Sequence, residues 1–260
     1  MTYFKKFTVT EESGHEVGAV NLQHLWADVY GIQLVKTEHP VSAKRWMETI
    51  AKALLEVKSQ PARLVMFRLI EDAEAHELRA LLPALGFVKK HERVEYRKSV
   101  SELPSDEGTP FTWKNAAQLN FSPEQIASVL SEVSVGDPDH EAEADPLLYI
   151  QDFLSDPVLS SGLDCIHFGF VGDVLAAMAV VQINPKTGWS RISHMGILPE
   201  FRGKKLGVWV HRFAFAQMKR EGSLLYHGGT VATNEKMVRL FLAHHCDFYR
   251  RMEEWVYFTK

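Results

Sequence analysis

Cysteine is scarce: Cys165 and Cys246 are the two in 260 residues, far apart and outside any C-x-x-C spacing. A disulfide framework and a cysteine-built zinc site are therefore not expected, and a reducing compartment is. Long apolar runs are missing too, and the opening MTYFKKFTVTEESG has no apolar stretch followed by small residues. Neither a spanning helix nor a secretory leader is expected. Nor is there an excess of positive charge: 29 Lys and Arg stand against 33 Asp and Glu, with a pI near 6.3. That argues against non-specific nucleic-acid binding. What is present is 46% hydrophobic residues, 11% of the chain being aromatic, ample for a packed core in one large domain or two small ones. The expectation is a soluble cytoplasmic protein with no membrane or nucleic-acid partner, either monomer or homodimer.

Residues 101–110, SELPSDEGTP, gather two prolines, a glycine and acidic residues between two patterned regions, the signature of a linker. They divide the chain into residues 1–100 and 111–260. The first part begins with strand-like FKKFTV, VGAVNL and YGIQLV. Trp46, Ile50, Leu54 and Val57 then repeat at helical spacing across Ala43 to Lys58. ARLVMFRLI reads as a buried strand, Asp72 to Leu85 as a helix ended by Gly86, and HERVEYRKSV as an alternating strand. In the second part Ser122-Pro123 starts a helix, and Leu147 to Leu154 forms another. CIHFGFVG, VLAAMAVVQI and WSRISHMGIL read as strands joined at Gly172-Asp173 and Asn184 to Gly188. A helix through about Arg220, strand LLYHGGTV, a helix over Glu235 to His244 and strand EEWVYF complete the pattern.

The ends of the two parts are alike. LLPALGFVKKHERVEYRK and LAHHCDFYRRMEEWVYFTK place Phe87 on Phe248, Glu92 on Glu253 and Tyr96 on Tyr257 at one offset. A chance match and an internal duplication with a shortened first copy are the two readings, and the similar succession of elements upstream favours duplication.

The most informative stretch is ILPEFRGKKLG, Ile197 to Gly207, between a strand and a long helix. Amides converging at a helix N-terminus form an anion site, and glycines let a phosphate approach. Arg202, Lys204 and Lys205 add cations able to pair with pyrophosphate oxygens. A solvated basic helix start is the plain alternative.

In its context the stretch resembles V-x-P-x-x-R-G-x-G-x-G, the hallmark of the GNAT superfamily of acyl-CoA N-acetyltransferases. Thr233-Asn234 and Leu240-Phe241 match the family's next element. The resemblance covers residues 111–260 well and residues 1–100 as a degenerate half. It implies an α+β GNAT fold, a mixed and mostly antiparallel sheet flanked by helices, in tandem with a shortened N-terminal copy. It further implies acetyl-CoA as cosubstrate and no metal. Amides of Arg202, Gly203, Lys204, Lys205, Leu206 and Gly207 would hold the pyrophosphate, with backbone of Ile197 and Leu198 on the pantetheine and Asn234 on the cofactor arm. Two residues depart from the pattern. Lys205 replaces a glycine and is expected to keep donating its N–H from helical backbone angles. Phe241 replaces the tyrosine that often protonates the thiolate.

Acetyl transfer to an amine needs a base. His194 stands where the family often carries one, and a hydrogen-bonded core histidine is the alternative. His227, beside Gly228-Gly229 where a ligand could lie close, is the second candidate, unless it faces the covered side of the sheet. His244-His245-Cys246 reads as structural, and Trp113, Trp189 and Trp255 as core or sheet residues. The acidic loop Gly136 to Asp145 is either a solvated loop or a rim that steers a cationic acceptor. The implied activity is acetyl transfer from acetyl-CoA to a primary amine, small molecule or peptide, by direct attack in a ternary complex. The alternatives are a CoA-binding sensor or scaffold without turnover, and an acyltransferase using a longer acyl group. The first half lacks an Arg-Gly loop at its equivalent junction, Thr37 to Arg45, and is expected to be catalytically silent.

Overall fold

The computed structural model describes residues 2–11, 13–26, 28–36, 41–71, 75–139, 145–156, 159–160 and 162–259. Its elements run β1 (Thr2–Thr10), β2 (Glu16–Trp26), β3 (Val29–Lys36), α1 (Ala43–Val57), β4 (Leu64–Ile70), α2 (Ala75–Leu81), β5 (Val88–Ser99), β6 (Thr112–Asn115) and α3 (Ala116–Leu119). They continue with α4 (Pro123–Ser134), α5 (Pro146–Leu154), β7 (Ile166–Val171), β8 (Val174–Ile183), β9 (Trp189–Ile197), α6 (Gly207–Arg220), β10 (Leu225–Val231), α7 (Glu235–Ala243) and β11 (Asp247–Phe258). Among the described residues no helix is long and apolar enough to cross a membrane.

Two compact units result, residues 1–93 with 250–260, and residues 94–249. The divisions fall inside β5 and β11, so the segment 101–110 lies within the second unit. In the first unit β1, β2 and β3 pair antiparallel, β3 and β4 pair parallel, and β4 pairs antiparallel with Met252 to Phe258 of β11. Helix α1 covers this sheet because its spacing puts Trp46, Ile50 and Ala53 on one fully buried stripe. Burying a side chain such as Ile50 stabilises by roughly 1.5–3 kcal/mol. Of the helix expected over Asp72 to Leu85, 72–74 lie outside the described residues. The rest is α2 and a 3-10 turn, ended by Gly86 at φ 87°.

The matched ends of the chain pack crosswise. Phe87 meets Tyr257 at 5.7 Å in the first unit, and Tyr96 meets Phe248 at 5.8 Å in the second. Each residue of one copy therefore finds the partner that the other copy's own strand would have supplied.

In the second unit β6, β7, β8 and β9 pair antiparallel in sequence order. Helices α4 and α5 cover one face through Ile126, Leu130, Val133 and Ile150, and α6 covers the other through Val210 and Phe213. Capping boxes start α3 at Asn115-Gln118 and α4 at Ser122-Gln125. Two features of β9 position the site. Its register on β8 slips by one residue at Ser193, between the pairs Val180↔His194 and Val181↔Ile192, a bulge that re-aims the strand. On its other side it pairs with β10, in parallel, only at Leu225↔Trp189 and Tyr226↔Ser190 among the described residues. Beyond that rung the two strands separate.

Candidate functional site

The opening between β9 and β10 leads to the loop that joins β9 to α6. Pro199 to Phe201 make a 3-10 turn, and Arg202 N–H donates to the Pro199 carbonyl at 3.2 Å. After it, the backbone N–H groups of Gly203, Lys204, Lys205, Leu206, Gly207 and Val208 have no acceptor among the described residues. Six successive free amides at the positive end of a 14-residue helix are donors suited to an anion. A Cβ added to Gly203 would touch nothing within 4 Å, so the space at that point of the loop is open.

Lys205 differs from the expectation of helical angles: its φ is 58°, in the left-handed region. The residue that stands in the glycine's place thus holds left-handed backbone, the region that glycine favours. Left-handed backbone costs an L residue about 1–2 kcal/mol, part of which glycine would lose again through its freer unfolded chain. Lys205→Gly is therefore expected to be neutral or to stabilise by up to ~1 kcal/mol, and Lys205→Val to destabilise by about 1–2 kcal/mol. An unchanged Tm for Lys205→Val would contradict the left-handed geometry.

Arg202 also departs from the expectation of a cation free to meet pyrophosphate. Its guanidinium donates to the carbonyls of Ile197 (2.9 Å), Val135 (2.6 Å), Val133 (3.1 Å) and Glu132 (3.5 Å). It caps the C-terminus of α4 and ties that end to the last residue of β9. Close packing holds the same junction: a Cβ on Gly196 would fall 2.7 Å from Val133 Cβ. Leu198 N–H is taken by Ala176 O at 2.9 Å, so alternation turns Ile197 N–H toward the open edge of β9.

Asn234 caps α7 by accepting from Met237 N–H at 3.2 Å, and its amide donates to Asp137 Oδ1 (3.3 Å) and Asp139 Oδ2 (3.0 Å). Asp139 also accepts from Val231 N–H at 2.9 Å and from the Thr230 hydroxyl. The start of the acidic loop is thereby fastened to the end of β10, while 140–144 lie outside the described residues.

The two histidines do not converge. His194 Nε2 lies 3.4 Å from Ser134 Oγ on α4. Extending the β9–β10 register places His227 level with Arg191, about 10 Å further down the strands at ~3.3 Å per residue. His227 Nε2 lies 3.0 Å from Glu95 Oε2 on β5. The glycines after it are not open to a ligand. A Cβ on Gly228 would strike the Tyr226 hydroxyl and Phe241 Cε1, and one on Gly229 would lie 3.2 Å from Glu95 Cγ. Sequence reasoning missed Glu95; its partner lies 132 residues away, and the signal available was the polar position in HERVEYRKSV. Arg191 binds Gln182 Oε1 at 2.7 Å and Ser193 Oγ at 3.0 Å, filling the face beside the bulge.

Phe241 is fully buried and stacks on Tyr96 at 4.7 Å. Behind it His211 bridges His244 (2.8 Å) and the Tyr226 hydroxyl (3.2 Å). Burial pushes His211 well below the ordinary imidazole value and His244 down to about 4. Burial likewise raises the Cys246 thiol to about 12, which makes it inert. Trp113 stacks on Phe213, Trp189 lies edge-on to His227, and Trp255 donates to Glu253. No group of ligating side chains that could hold a metal occurs among the described residues.

The acetyltransferase (GNAT) family pattern matches residues 129–248, which span the bulged β9, the free-amide loop, β10 and α7. No curated protein matches the chain significantly. A GCN5-related N-acetyltransferase from Sphaerobacter thermophilus is similar in structure, with TM-score 0.67 at 11% identity, over 97% of this chain and 80% of that one. A tandem GNAT protein from the clavulanic acid biosynthesis pathway gives 0.63 at 14%, over 96% and 81%. A GCN5-related N-acetyltransferase from Kribbella flavida gives 0.61 at 16%, over 92% and 86%. Residues 129–248 thus match the acetyltransferase (GNAT) family, and the fold over nearly the whole chain is similar to that of a tandem GNAT protein.

Proposed function

We propose that the protein is an N-acetyltransferase that moves an acetyl group from acetyl-CoA to a primary amine by direct attack in a ternary complex. The observation that carries this reading is the run of six unaccepted amides, Gly203 to Val208, lying beside the unpaired edge of β9. Pyrophosphate fits the amides, with Lys204 and Lys205 adding charge. The pantetheine extends along the open edge as an added strand, paired by Ile197 N–H and shielded by Leu198. Arg202 supports the loop rather than the anion, and Asn234 holds the loop after α4 at the other lip. An N–H on the edge of β9 polarises the thioester carbonyl. His194 or His227 takes the proton that the amine loses as it attacks. The buried thiols of Cys165 and Cys246 fit a reducing cytoplasm. Residues 1–100, whose equivalent junction Thr37 to Arg45 has no Arg-Gly sequence, act as the silent partner.

One observation favours a second reading, a CoA-binding sensor without turnover. Phe241 carries no proton for the leaving thiolate and is buried. Incubation with acetyl-CoA and a panel of small amines and amino-terminal peptides separates the two. Free thiol appearing with an acetylated amine is expected; binding of acetyl-CoA with no acetylated product would favour the sensor.

A further inference from the structure

We propose that Glu95 is the positioning residue of the transfer reaction: it holds His227 as the Nε2–H tautomer and leaves Nδ1 to take the acceptor's proton. This rests on the reading of the β9–β10 opening as an acyl-CoA cleft. Glu95 lies outside the family match and comes from β5, which stands next to β10.

Place, partner and surroundings converge on this role. His227 is the first residue of β10 after the last rung shared with β9, at the head of the opening where a thioester carried along β9 would end. Its Nε2 meets the carboxylate at 3.0 Å, and both side chains are mostly buried, with 13% and 15% exposed. A carboxylate accepts and cannot donate, so in the neutral ring the bonded nitrogen carries the proton and Nδ1 keeps its lone pair. Nδ1 has no partner among the described residues. The ring is fixed edge-on by Trp189 at 5.9 Å and by Tyr249 at 5.6 Å. Tyr249 is itself pinned by the Arg97 guanidinium 3.2 Å above its ring. Gly229 is the device that admits Glu95, since any side chain there would press on its Cγ. Among the described residues, the charged and titratable groups around the imidazole include Glu95, Tyr249 and, behind it, Arg97. Arg191, next on β9, is engaged by Gln182 and Ser193.

In the step, Nδ1 accepts a proton from the attacking amine as its nitrogen bonds to the thioester carbonyl carbon. The C–S bond breaks, the electron pair leaves on the CoA thiolate, and the imidazolium returns its proton to water. Glu95 stabilises the imidazolium and touches neither substrate.

Glu95→Gln keeps the shape and removes the charge. It is expected to lower kcat by about 10–100-fold with KM for acetyl-CoA and Tm nearly unchanged. His227→Gln should cost about 100–10,000-fold, and the double variant no more than His227→Gln alone. Nitrogen NMR gives a readout independent of turnover: His227 should be the Nε2–H tautomer in the wild type at about pH 8 and lose that preference in Glu95→Gln. Multiplying effects of the two substitutions, or a wild-type His227 protonated on Nδ1, would overturn the role of Glu95. Loss of acetyl-CoA binding in the wild type, with the tautomer as expected, would instead overturn the cleft reading, and the catalytic role with it.

Discussion

Arg202→Ala is expected to destabilise the fold by about 2 kcal/mol and to weaken acetyl-CoA roughly tenfold, a loss of about 1.4 kcal/mol in binding. Four carbonyls lose a charged donor together: three at the C-terminus of α4 and the last of β9. The strut sets the angle at which β9 enters the free-amide loop, so removing it relaxes the donor surface rather than deleting one of its donors. Arg202→Lys separates this from a direct charge on pyrophosphate. Lysine keeps the charge but cannot reproduce the planar fork that reaches two elements at once. Denaturant titration with calorimetry should show Arg202→Lys nearly as impaired as Arg202→Ala. Full rescue by lysine, or a tenfold affinity loss with no loss of stability, would restore Arg202 to the anion itself.

Stability should fall steeply between pH 6.5 and about 4, before most carboxylates titrate. His167 is 5% exposed, and burial, assisted by the Arg220 charge, lowers it from 6.5 to about 4. An unfolded imidazole takes up its proton below about pH 6.5, whereas the folded one stays neutral until about 4. The unfolded chain therefore binds more protons across that window. The stability is fully present above pH 6.5 and is lost as the pH falls toward 4. At 1.36 kcal/mol per pKa unit, His167 alone accounts for about 3 kcal/mol, and the coupled pair His211 and His244 acts in the same direction. Urea unfolding from pH 7 to 4 should show this slope, and His167→Phe should flatten it by about a third. A wild-type stability constant across the window would contradict the buried neutral histidines.

Local signals were legible in the sequence. The apolar stripe of α1, the cap at Ser122 and the turns at Gly172 and Gly188 are short-range chemistry, and each appears where its residues predict it. The strand-to-helix junction after β9 was legible because its glycines and flanking elements agree. What escaped is what local pattern cannot carry. The crosswise packing of Phe87 with Tyr257 and of Tyr96 with Phe248 depends on which distant strand each half receives, and alternation is the same for either partner. Glu95 reads as one polar position of an alternating strand until β10 brings His227 to it. Arg202 reads as a free cation because the carbonyls it holds belong to a helix about 70 residues earlier. The short helix α3 was recoverable, since Asn115 and Gln118 carry capping-box spacing.

The central claim is that the edge of β9 and the loop after it hold acyl-CoA. Amide hydrogen exchange of the full chain with and without acetyl-CoA tests it most directly. Slowed exchange over Ile197 and Gly203 to Val208, with none at 41–45 in the first half, is the predicted result. Binding that protects 41–45, or leaves Gly203 to Val208 unchanged, would contradict it.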